Sequence, residues 1–111
     1  MSRPVTSSEP LTPIAAASGG FEQITISSSA ATLDASLTAG IPAETRHAIF
    51  YPETADIRWR ADGTAPAVDT GIVMEKDAMH VFENQRGIFD NMKLISGSAS
   101  SSSVLNVHFF K

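Results

Sequence analysis

Apolar side chains recur at every second position in several short runs of the chain. In residues 21–28, FEQITISS, Ile24 and Ile26 share one side while Gln23 and Thr25 take the other. Residues 56–60, DIRWR, set Ile57 and Trp59 against Arg58 and Arg60. In residues 104–110, VLNVHFF, Leu105, Val107 and Phe109 alternate with Asn106 and His108. Period two is the signature of a strand with one buried face. Residues 45–51, TRHAIFY, are rich in β-branched and aromatic side chains and predict a strand that stops at Pro52. Residues 68–74, VDTGIVM, predict a strand with a bulge or bend at Gly71. After a polar turn at 75–77, residues 79–82, MHVF, return as another strand. Residues 93–96, KLIS, and 104–110 flank the tract GSASSSS, which predicts a hairpin with a flexible tip.

Two stretches are less regular. Residues 29–42, SAATLDASLTAGIP, fit either a helical turn or a strand edge through Ala31, Leu33, Leu37 and Ile41, ended by Gly40 and Pro42. Residues 84–91, NQRGIFDN, read as a loop or short turn that carries Ile88 and Phe89 inward. The count is seven or eight short strands, with turn signals every 8–12 residues or so. No long amphipathic helix separates them, so parallel crossovers lack material. The expected fold class is all-β: an antiparallel β-sandwich or jelly roll with an extended N-terminal arm.

That arm is residues 1–20, and the sandwich domain is residues 21–111. Pro4, Pro10 and Pro13 bias the arm toward extended backbone, and only Val5, Leu11 and Ile14 are large and apolar. Ser18-Gly19-Gly20 reads as a flexible joint. No apolar stretch follows Arg3, so the pattern of a secretory signal is missing. The arm is either a plain disordered terminus or a segment that orders on a partner, with its apolar residues as anchors.

Composition narrows the chemistry. A chain of 111 residues suits one domain. Twelve acids against eight bases give a net charge of −4, which disfavours nucleic acid as a partner. No apolar run approaches the ~18 residues of a membrane span. The absence of cysteine excludes disulfides, thiolate metal sites and a cysteine nucleophile. His47, His80 and His108 sit in three separate predicted strands without metal-ligand spacing, so only tertiary contact could assemble a cupin-like site. Asp56, Asp62, Asp69 and Asp77 fall at strand ends or turns, where Asp caps backbone donors. Neither a nucleophile elbow nor a phosphate loop occurs. The expectation is a protein that is not an enzyme, with no catalytic residue, cofactor or metal.

The segment around the single tryptophan is the most distinctive. Trp59 reads either as a stacking platform for a sugar, as a protein-contact residue, or as a core side chain beside Ile57. Strand alternation favours the last, leaving Arg58 and Arg60 outward for acidic neighbours.

Four stretches carry a resemblance to a known class. Residues 57–66 (IRWRADGTAP), 71–74 (GIVM), 93–95 (KLI) and 104–107 (VLNV) resemble small proteins encoded among the structural genes of tailed bacteriophages. The resemblance covers residues 21–111, and in size and architecture its best match is the capsid decoration, or cement, class. It implies a small sandwich or jelly roll on the outer capsid surface of the virion, made in the host cytoplasm. Its partners would be the major capsid protein and neighbouring copies of itself, with no nucleic acid and no membrane. The sequence departs from the commoner pattern in its longer proline-bearing arm and in the apolar residues of 84–91. Candidate capsid contacts are Arg3, Val5, Leu11 and Ile14 on the arm, with Arg58 and Arg60 on the sheet. The alternative is a tail, neck or fibre module that binds a host-surface carbohydrate or receptor through Trp59.

Overall fold

The computed structural model describes residues 11–14 and 20–111. Its elements, in chain order, are β1 (Phe21–Ile26), β2 (Ala31–Thr32), α1 (Leu33–Ser36), β3 (His47–Glu53) and β4 (Ile57–Arg60). They continue as β5 (Ile72–Met74), β6 (His80–Phe82), α2 (Arg86–Asn91), β7 (Lys93–Ser96) and β8 (Ser103–Phe110). The strands form two four-stranded sheets, ordered β1-β8-β3-β6 and β2-β7-β4-β5. Every ladder is antiparallel.

Alternation explains the layering. In β8, Leu105, Val107 and Phe109 are buried, while the intervening residues are half-buried on the outer face. Ile24 and Ile26 of β1 and Ala48 and Phe50 of β3 join them from one sheet; Ile57 and Trp59 of β4, Met74 and Leu94 join from the other. All belong to one core cluster. One aromatic contact bridges the layers, Trp59 meeting Phe82 edge-on at 5.6 Å, and Phe82 in turn meets Phe50 of its own sheet at 5.2 Å. The open ends of the core are closed by Leu33 of α1 and by Phe89 and Met92 at the end of α2. The stretch 84–91, expected as a loop or short turn, is helical from Arg86, and Phe89 points inward as its pattern predicts.

Three expectations change. Residues 93–96 and 103–110 do not form a hairpin, because β7 and β8 belong to different sheets. The Ser/Gly tract turns a corner between the layers and is held by serine hydroxyls. Ser103 donates its hydroxyl to the carbonyls of Glu53 (2.8 Å) and Ala55 (2.6 Å), and Ser96 donates to that of Ser101 (2.7 Å). Second, β3 runs through Pro52 to Glu53. Pairing with β6 ends at Phe50, so the donor that proline lacks is not needed on that side. Third, the strand predicted over 68–74 is regular only from Ile72. Ala67 and Thr70 instead bond each other across a tight turn (2.9 and 3.1 Å).

Residues 11–14 pack on the sandwich domain. Lys111 donates its backbone N–H to the carbonyl of Thr12 (3.0 Å), and Pro13 bridges Phe110. Ile14, expected as an arm anchor for a partner, is 4% exposed and belongs to the core. Gly20 continues this edge: its carbonyl accepts from the Phe109 N–H (2.8 Å) and its φ is +85°. A Cβ there would lie 2.6 Å from the Phe109 carbonyl oxygen, so only glycine fits.

Replacing Ile14 with Ala should cost about 2–5 kcal/mol in urea unfolding, the range for emptying a buried aliphatic site. A loss below about 0.5 kcal/mol for Ile14→Ala, within the range of a surface substitution, would contradict a core role.

Candidate functional site

The corner where β4 leaves its sheet gathers the two sheet arginines singled out by sequence. Arg58 and Arg60 point to the outer face, opposite the buried Ile57 and Trp59. After Arg60 the chain turns at Asp62-Gly63, with Gly63 at φ +88°. The turn lets the Asp62 carboxylate face back along the strand. Arg60 donates from Nε to Oδ1 (3.0 Å) and from Nη2 to Oδ2 (2.5 Å), a two-pronged pair. The Thr64 backbone N–H also donates to Oδ1 (3.3 Å). The guanidinium hydrogen bonds, with smaller help from the Thr64 N–H, hold the Asp62 carboxyl down to about 2. The same contact raises the Arg60 guanidinium above its ordinary value.

Arg58 is engaged differently. Its Nη1 donates to the Gly71 carbonyl (2.9 Å), fixing the turn that leads into β5. Gly71 has φ +134°, and a Cβ there would lie 3.1 Å from the Trp59 carbonyl oxygen and 3.2 Å from the Pro66 ring. Glycine thus lets the 67–71 turn lie against β4. Between the two turns runs an open groove of about 330 Å³, lined by Arg60, Ala61, Asp62, Thr70, Gly71 and Ile72. With the Arg60 fork bound to Asp62, what the groove offers is room for an apolar side chain beside a closed ion pair.

Trp59 is 8% exposed and packs inside on Phe82, so the sugar-stacking platform considered for it is not formed. His47, His80 and His108 fall in one sheet but have separate environments. His47 is buried and accepts the Asn84 N–H at Nδ1 (3.1 Å). His80 lies 3.2 Å from the Glu75 carbonyl, and His108 stacks on Phe110 with ring centroids 4.4 Å apart. Among the described residues, no three His, Asp or Glu side chains converge in a way that could hold a metal ion. No helix there is long and apolar enough to cross a membrane. Asp56 accepts the Lys76 N–H (2.9 Å), a turn-capping role of the kind its position predicts.

Of the candidate arm contacts, Arg3 and Val5 lie outside the described residues, Leu11 is half-buried and Ile14 is internal. Sequence reasoning did not single out the surface apolar side chains. Val68, Ile72, Val73, Met79 and Val81 are all exposed and all fall within fourteen residues of chain. Their strand pattern is visible in the sequence, but nothing local says that β5 and β6 end their sheets. Compared with known proteins, the chain matches no family model, no curated protein and no solved structure.

The Asp62 carboxyl, followed by NMR, should titrate near 2, and in Arg60→Ala its midpoint should rise toward the ordinary 3.8. The folded value is depressed, so any stabilisation from this pair is present above the unfolded carboxyl range and fades as pH falls toward 2. A midpoint unmoved by Arg60→Ala would show that the pair does not persist in solution.

Proposed function

We propose that the chain is a virion structural protein, a capsid decoration or cement protein that staples neighbouring major capsid protein subunits. The observation that carries this reading is the strand order. β1 pairs with β8, β2 with β7, β3 with β6 and β4 with β5, as when one long hairpin folds over into two layers. We read that order as a jelly roll, the architecture of many viral capsid domains. Lectins and cupins use it as well, and a fold alone does not assign a role. The choice among them rests on the phage-protein resemblance of residues 57–66, 71–74, 93–95 and 104–107.

In this reading each copy touches two or more shell subunits through modest patches. Once one patch is bound, the second binds at a high effective concentration, so the lattice is held by avidity. Arg3 and Val5, which lie outside the described residues, remain candidate contacts. Leu11 and the outer-face side chains of Arg58 and Arg60 complete the contact set. Ile14 drops out of it, because its burial serves the domain itself. The partners are the major capsid protein and neighbouring copies on the outer capsid surface.

Purified shells of the encoding phage should withstand a higher temperature with the full chain bound than without it. Removal of residues 1–10 should weaken shell binding at least tenfold, and binding unchanged by the removal would take Arg3 and Val5 out of the contact set. Equal heat resistance with and without the protein would sink the cement role.

A further inference from the structure

Among the described residues, five of the six exposed large hydrophobic side chains lie along one flank of the sandwich. They are Val68, Ile72 (57% exposed), Val73, Met79 (63%) and Val81 (52%). The flank is built by β5 and β6, each the last strand of its sheet and each paired on one side only. Only five residues, 75–79, connect the two strands, and the Trp59–Phe82 ring contact ties the layers together beneath them. Residues 71–74 of the β5 edge carry neither charge nor proline, the devices with which strand edges ordinarily turn other strands away. Ile72 sits opposite Trp59 on the inner side of its sheet, yet at the rim nothing covers it.

The charge of this flank selects the partner. Between Val68 and Glu83 stand four carboxylates, Asp69, Glu75, Asp77 and Glu83, against one lysine, Lys76. All five are exposed. Asp56, which caps Lys76, adds a further carboxylate at the same place. Arg58 borders Val73 across the ladder but is tied to the Gly71 carbonyl. A second copy brought edge to edge would set this acidic rim against itself. An extended apolar segment flanked by Lys or Arg meets both requirements: free backbone groups along β5 and opposite charge at either end.

We infer that the β5 edge is a strand-addition site for an extended, apolar, base-flanked segment of another protein. Within the proposed function, on which this inference rests for its setting, that segment belongs to a shell subunit. The added strand hydrogen-bonds along residues 72–74, its apolar side chains cover Ile72 and Val73, and its basic ends face Asp69 and Glu75. The adjoining groove beside Ile72 takes one further apolar side chain.

The test uses the full chain and two fluorescein-labelled peptides sharing a Val-Thr-Val-Thr-Val centre, one flanked by paired lysines and the other by paired glutamates. The lysine-flanked peptide should bind, and the glutamate-flanked one at least tenfold more weakly. Val73→Lys places a charge on the edge at an exposed, outward position. It should keep the wild-type melting curve and lose at least tenfold in binding. Asp69→Asn with Glu75→Gln should abolish the preference between the two peptides. No binding, equal binding of both peptides, or binding unaffected by Val73→Lys would overturn the inference. So would a wild-type dimer in sedimentation that Val73→Lys dissolves, which would make a second copy the occupant. Shell binding without peptide binding would end this inference and leave the decoration role standing. Peptide binding without shell binding would do the reverse.

Discussion

The structure depends on the register of β8. This eight-residue strand is paired along its length, to β1 on one side and β3 on the other. Its flanks collect the rest of the chain: Arg46 donates to the Phe110 carbonyl, Phe109 to Gly20, and Lys111 to Thr12. Because side chains alternate between faces, a slip of one residue would turn Leu105, Val107 and Phe109 outward and bring Asn106 and His108 into the core. The core would lose its central apolar column and gain an amide and an imidazole without partners. Ser103 guards against this at the corner, where its hydroxyl ties the start of β8 to the end of β3 through Glu53 and Ala55.

The outer face of the same sheet follows from the same register. Phe21, His108, Ile49 and Val81 stand in one row across all four strands. Below them Gln23 donates to Asn106 (2.9 Å), and Asn106 donates to the Glu53 carboxylate and the Tyr51 carbonyl. This face therefore has an apolar and aromatic half and a polar half whose groups bond one another.

Much of this was legible in the sequence, and the rest was not for physical reasons. Alternation in 104–110 and 57–60 assigned the buried side chains of β8 and β4, and it placed Arg58 and Arg60 outward. What alternation cannot encode is which strands share a sheet. KLIS and VLNVHFF thus read as a hairpin, although the serines between them, through their hydroxyls, turn a corner. Proline at 52 reads as a stop, yet the structure tolerates it because its lacking donor faces the side where β6 has ended. At the site, Asp62-Gly63 was readable as a turn, whereas its closure onto Arg60 depends on the direction in which the turn sends the carboxylate. The apolar flank of β5 and β6 escaped notice because exposure of an edge is a tertiary property. Composition is clearer in hindsight: with 15 Ala, 14 Ser and 9 Thr, much of the surface is small side chains that lose little rotamer entropy when covered. Beside the β5 edge, acids outnumber bases, with Asp69, Glu75, Asp77 and Glu83 against Lys76.

The proposed decoration role is tested most directly by electron cryomicroscopy of purified tailed-phage shells incubated with the full-length protein. The account predicts added density on the outer surface, fitted by the two-sheet domain and touching at least two capsid protein subunits per copy. Shells that gain no density, or density confined to the tail or neck, would contradict it.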